Sequence, residues 1–161
     1  MVVSANSWLT HSPADVIRWL LISLGLGVDP NSTPPLAWPV YATGEPSALD
    51  NIIRCHDTEG QLDGKTMPDA EVCQHFGVQV MVRSSSHPIG WAKINAIVTL
   101  LDKVSQADVT VPVIPAPANL PSKRYLVWSV SRKAIIPLGK GSPNDKQNRF
   151  TVNLLVPVRA Y

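Results

Sequence analysis

The sequence predicts an α+β fold, an antiparallel (in part mixed) β-sheet with two main α-helices packed on it. Apolar residues recur at helical spacing in two stretches, residues 13–24 and 87–104. Elsewhere they alternate with the period of two that a half-buried strand requires, most clearly at 78–84 and 150–158. The strand candidates, about six, lie mostly in adjacent pairs joined by short turn-forming stretches, which favours antiparallel pairing.

The first helix is read at residues 13–24. Ser12 is its N-cap, Pro13 fits the first helical position, and Asp15 stands where a capping-box acid would. Val16, Ile17, Trp19, Leu20, Leu21, Ile22 and Leu24 make an apolar surface broken only by Arg18 and Ser23, so the helix must be covered on more than one side. Gly25 or Gly27 stops it. Trp8 is placed to staple onto its first turn, and His11 reads as a solvated neighbour of the cap.

A turn-rich loop at 29–35 leads to two short strands, 38–43 and 51–57, separated by Gly44, Pro46 and Ser47. Pro39 lacks a ladder donor and confines the first of them to an edge. Residues 58–69 hold two glycines and a proline without apolar periodicity, and read as a mobile loop that a partner would order. In the strand at 78–84, Val78, Val80 and Val82 point one way and Gln79, Met81 and Arg83 the other. Ser86 or His87 caps the second helix, whose Ile89, Trp91, Ala92, Ile94, Ile97, Val98, Leu101 and Val104 recur at helical spacing and leave Lys93, Asn95, Asp102 and Lys103 for the other face. Trp19 and Trp91 are both expected in the core.

In the proline-rich segment 109–121, Val109-Thr110-Val111 favours a strand. Pro112, Pro115, Pro117 and Pro121 deny ladder donors, so an extended arm or an edge strand is expected. One strand follows at 125–136. The last sets Phe150, Val152, Leu154, Val156 and Val158 on one face and Thr151, Asn153, Leu155 and Pro157 on the other, its far end an edge. Residues 139–148 make a polar hairpin connection between these strands.

The 161 residues fit one domain, taken as residues 1–161, and 45% hydrophobic content is enough for a core. Two cysteines are too few for a disulfide framework. The amino terminus lacks the basic start and apolar core of a signal peptide, and the apolar stretch 16–28 is too short and too interrupted to span a bilayer. A soluble protein of a reducing compartment is expected, with no membrane partner. The net charge of +2 argues against a dedicated nucleic-acid binder.

Charge is nevertheless segregated. An acidic middle holds Asp50, Asp57, Glu59, Asp63 and Asp69 against Arg54 and Lys65. A basic end holds Lys123, Arg124, Arg132, Lys133, Lys140, Lys146, Arg149 and Arg159 against Asp145. Two unlike surfaces suit copies that meet head to tail. Asp57, Glu59, Asp63, Asp69, Arg124, Arg132, Lys133, Lys140, Lys146 and Arg149 are therefore the candidate subunit and partner contacts.

No phosphate-binding glycine loop, nucleophile elbow or paired-histidine zinc motif is present. Cys55-His56-Asp57 with Cys73-Gln74-His75 offers two thiols and two imidazoles, but the spacing is not that of a zinc site. A strand through 51–57 would send Cys55 into the core and His56 outward. No catalytic residue, metal or cofactor is expected.

The run Val78-Gln79-Val80-Met81-Val82-Arg83-Ser84-Ser85-Ser86, leading into a helix through Ala92, Ile97 and Leu101, resembles the tail terminator and minor capsid proteins of tailed bacteriophages. Ile136-Pro137-Leu138-Gly139, a polar loop, and Asn148-Arg149-Phe150-Thr151-Val152-Asn153-Leu154 resemble that family's terminal hairpin, and the helix at 13–24 occupies the expected place. The resemblance implies a non-enzymatic virion protein, assembled in the host cytoplasm into a hexameric ring. Such a ring caps the tail tube protein and meets the head-completion (stopper) protein, and DNA only passes through its channel. The proline-rich segment 109–121 is longer than in that pattern. The alternatives are a stopper or adaptor of the same neck, a nucleic-acid-binding module using Arg132, Lys133 and the tryptophans, and a small enzyme.

Overall fold

The computed structural model describes residues 9–32, 37–44, 46–47, 49–65, 72–140 and 146–160, the side chains of 62–65 and 72–74 excepted. In chain order the elements are α1 (Pro13–Ser23), β1 (Val40–Ala42), β2 (Ile52–Lys65), β3 (Val72–Ser84), α2 (His87–Leu101), β4 (Ser105–Val111), β5 (Lys123–Ser129), β6 (Ser131–Arg132), β7 (Ile136–Lys140) and β8 (Asn148–Ala160). The strands form one sheet in the order β1-β2-β3-β8-β5-β4, with β6 and β7 also on β8. Only β1 and β2 run parallel. The fold is α+β, as the periodicities predicted.

β8 is the spine of the sheet. One side pairs with β3 from Asn148 to Pro157. The other is shared in turn by β7, β6 and β5, which run back along it between residues 123 and 140. Strict alternation puts Phe150, Val152, Leu154 and Val156 on one face, all at most 1% exposed. That face continues through Val78, Val80 and Val82 of β3 to Ile53 and Cys55 of β2.

Both helices pack on this face. α1 meets β1, β2 and β3 from one end of the strand order and β4 from the other, so the sheet curls around it. This is why α1 is apolar nearly all round: Ala14, Val16, Ile17, Leu20 and Leu21 are at most 1% exposed. Burial of each larger side chain contributes roughly 1.5–3 kcal/mol. Arg18 stays polar because its Nε donates to the Val40 carbonyl and its Nη2 to Asp29, both at 2.8 Å. At the start of the helix Ser12 Oγ accepts the Asp15 N–H at 3.2 Å. At its end Gly25 takes φ +71°, with Gly25 N–H to the Ile22 carbonyl and Leu26 N–H to the Leu21 carbonyl closing a Schellman motif.

The structure departs from the sequence reading in six places. Residues 58–65 are not a loop: β2 runs on to Lys65 and pairs with β3 as far as Val72; residues 66–69 lie outside the described residues. The alternation is hidden there by a bulge, in which Glu59 and Gly60 oppose Phe76 alone. The stretch 125–136 is not one strand but β5, β6 and the start of β7. The sheet therefore has eight described strands rather than six. The far end of β8 is not a free edge, because Val158–Ala160 pair with Tyr125–Val127.

His11 is not solvated. It is 1% exposed, its backbone N–H donates to the Tyr125 hydroxyl at 3.0 Å, and its Nδ1 lies 2.8 Å from the same oxygen. Finally, Trp91 is 43% exposed and Ile89 51%, because Gly90, Ile94, Ile97, Val98 and Leu101 are the residues that face the sheet. Within 109–121, β4 supplies the edge strand, and the chain beyond it bridges Ile114 to Leu120. Trp8 lies outside the described residues.

Candidate functional site

On the sheet face opposite the helices, Gln79 of β3 and Asn153 of β8 sit directly across from each other. Gln79 Nε2 donates to Asn153 Oδ1 at 2.9 Å. These are the polar members of V-Q-V and V-N-L alternations, so the strand period that buries their neighbours turns them outward. They form the floor of an open groove of about 400 Å³. Thr58 and Glu59 make one wall, at the point where the β2 bulge bends the strand, and Ser131, Arg132 and Lys133 make the other. Leu154 and Leu155 complete the lining.

The bulge depends on close backbone approach. A Cβ on Gly60 would collide with the His75 carbonyl oxygen, and one on Gly77 with that of Glu59. On the opposite wall, the Lys133 N–H donates to the Asn153 carbonyl at 2.9 Å and continues the β6 ladder by one residue. Arg132 is locked by Asp102, Nε to Oδ1 at 2.8 Å and Nη2 to Oδ2 at 2.9 Å. That fork holds the Asp102 carboxyl below its ordinary pKa. Glu59 and Lys133 make no ion pair with any described residue.

Of the ten residues singled out by charge, the structure brings Glu59, Arg132 and Lys133 together in this groove. It places the others apart. Asp57 accepts the Ala14 N–H at 2.8 Å and so caps α1 within its own chain. Arg124 lies 3.5 Å from Asp108, both exposed. Lys140 ends β7, Lys146 is exposed, and Arg149 is half-buried on β8 opposite Arg83. Asp63 is on β2, and Asp69 lies outside the described residues.

No protein-family model matches the chain, and no curated protein matches it.

The Cys55-His56-Asp57 run diverges as the strand period requires. Cys55 is fully buried and free, with burial pushing its thiol pKa up out of the reactive range. His56 is lowered by its own burial and by Arg54, against the pull of Asp57, and its Nδ1 is buried without a hydrogen-bond partner. Among the described residues no three His, Cys, Asp or Glu side chains are grouped closely enough to hold a metal ion. No described helix is long and apolar enough to cross a membrane. The groove offers an acid, the Lys133 cation, two hydroxyls and a paired amide floor, a set suited to recognition by charge and hydrogen bonding. Arg132, opposite the buried Leu154, turns its guanidinium to Asp102 at the end of α2.

A second feature escaped the sequence reading. The outward face of α2 presents Ile89, Trp91, Ala92 and Ala96 to solvent. Lys93, the helix's only Asp, Glu, Lys or Arg, turns its ammonium over the Trp38 ring at 5.2 Å, where burial lowers its pKa. Asn95 donates to the Trp91 carbonyl and Thr99 to the Asn95 carbonyl, both at 2.8 Å. The polar groups of this face are thus folded onto the helix backbone. The signal in the sequence was a helix almost without charge on any side.

Proposed function

We propose that this chain is a ring-forming structural subunit of a tailed-phage particle, the tail terminator that caps the tail tube and joins it to the head-completion protein. The observation that carries the reading is the outward face of α2. A fifteen-residue helix whose single charge, the half-buried Lys93, lies over the Trp38 ring, and whose Asn95 and Thr99 bond to its own carbonyls, is built to be covered by another protein surface. A neighbouring copy in a closed ring supplies such a cover at every position around the axis.

The particle comes from the sequence resemblance, carried by Val78–Ser86 with the helix after it and by the hairpin from Ile136 to Leu154. On this reading copies close into a hexamer, DNA passes through the channel, and the finished protein resides in the neck of the virion. A stopper or adaptor ring of the same neck is the second reading, favoured by eight strands in one curled sheet where about six were expected. Electron micrographs of particles made without this protein test the first reading. Overlong or headless tails are expected; normal-length tails joined to heads overturn it, and normal-length tails that detach from heads point to the stopper.

A further inference from the structure

We infer that the groove floored by Gln79 and Asn153 is a binding site for a mixed-charge peptide segment, one basic and one acidic side chain about three residues apart. Its amide floor sets the ligand class. The hydrogen bond from Gln79 Nε2 to Asn153 Oδ1 leaves Gln79 Oε1 as an acceptor and Asn153 Nδ2 as a donor. Neither has another partner among the described residues. One acceptor beside one donor is the complement of a single residue in an extended chain, whose own N–H and C=O point to the same side. Turning both amides over would still leave one of each.

The walls set the charge pattern. Glu59 on one side and Lys133 on the other are exposed and unpaired among the described residues, while Arg132 is held by Asp102 and stiffens its wall. A ligand cation therefore lies toward Glu59 and a ligand anion toward Lys133. A phosphate-bearing ligand would meet the Glu59 carboxylate, and an uncharged sugar would leave both charges unanswered. β2 and β6 are separated by β3 and β8, three inter-strand steps, or roughly 14 Å. An extended peptide rises about 3.3 Å per residue, so side chains three positions apart, with their own reach, match that width. Leu155 gives the segment an apolar contact beside the floor. The inference does not depend on the particle to which the chain belongs.

The test is a titration of the ¹⁵N-labelled full chain with acetyl-Lys-Ser-Gly-Asp-amide, reading the side-chain amide resonances of Gln79 and Asn153. Saturating shifts of both are expected, with a Kd on the order of 1 mM. Replacing Lys and Asp of the peptide by Ser should weaken binding about tenfold, as should Glu59→Gln or Lys133→Gln in the protein. The backbone spectra of both variants should otherwise match the parent. Shifts that do not saturate, equal shifts with the uncharged peptide, or stronger shifts with uridine monophosphate would each overturn the assignment.

Discussion

Tyr125→Phe isolates one buried polar contact without changing the packing around it. The Tyr125 ring is fully buried and stays so in the variant, so the hydrophobic contribution is nearly constant. Only the hydroxyl is lost. It accepts the His11 backbone N–H at 3.0 Å, which leaves its own proton for Nδ1 of the same residue at 2.8 Å. His11 is 1% exposed, so neither orphaned group regains water. Each unsatisfied buried group costs about 1–3 kcal/mol, and because the two share one partner the combined loss is about 2–4 kcal/mol. A domain with about 5–15 kcal/mol of stability still folds with that loss. Urea unfolding followed by tryptophan fluorescence should show a lower midpoint with an unchanged slope. A loss below about 0.5 kcal/mol, within the range of an ordinary surface substitution, would show that this hydroxyl does not hold the entrance to α1.

Three further outcomes follow from the same geometry. His11 and His56 both have pKa values lowered mainly by burial, so below pH about 6.5 the unfolded chain takes up protons that the folded chain refuses. Stability should therefore fall as pH drops through and below 6.5 toward the folded-state values, by at most about 1.4 kcal/mol per pH unit per histidine; a urea midpoint that rises between pH 7.5 and 5.5 contradicts the assignment. Gly77→Ala would drive a Cβ into the Glu59 carbonyl and to 2.6 Å from Thr58 Oγ1, so a loss of about 1–3 kcal/mol is expected on thermal unfolding. An unchanged midpoint would show that the strands part at the β2 bulge to admit a methyl group at no cost, against the close approach argued for Gly77. Asp57→Ala removes the acceptor for the Ala14 N–H and should cost about 1 kcal/mol in the isolated chain, whereas a role in subunit contact alone would leave urea unfolding of the monomer untouched.

The elements that could be read from the sequence are those whose signal is local. The caps of α1 at Ser12 and Gly25 and the valine alternation of β3 need no distant partner to be recognised. The second half of β2 was illegible because Glu59 and Gly60 break the period at a bulge, and only β3 supplies the ladder that makes Thr58–Lys65 a strand. His11 looked solvated because the group that buries it, Tyr125, lies 114 positions away. Trp91 looked buried because α2 is apolar on every side, and periodicity cannot say which side the sheet takes. The groove was half visible: Glu59, Arg132 and Lys133 stood out by charge. Gln79 and Asn153, 74 positions apart, become a pair only through the register of β3 on β8.

That register also changes how charge bears on assembly. Sequence segregation suggested an acidic flank meeting a basic one, yet the fold engages much of that charge within the chain. Asp57 caps α1, Arg132 is forked by Asp102, and Arg124 stands beside Asp108. Exposed pairs contribute about 0–1 kcal/mol and are screened within roughly 3 Å at 1 M salt. If copies associate through the α2 face instead, ring yield on tails should change little between 0.1 and 1 M NaCl, since apolar burial is not weakened by screening. Trp91→Glu should abolish rings while costing the monomer only about 1–2 kcal/mol, since Trp91 is 43% exposed and its ring packs on Phe150 at 5.8 Å. Reversing Lys140 and Lys146 together, both exposed, should then leave rings intact. Rings that dissolve in salt and in the lysine reversal but tolerate Trp91→Glu would put the contact back on charge and leave the apolar face of α2 for some other partner.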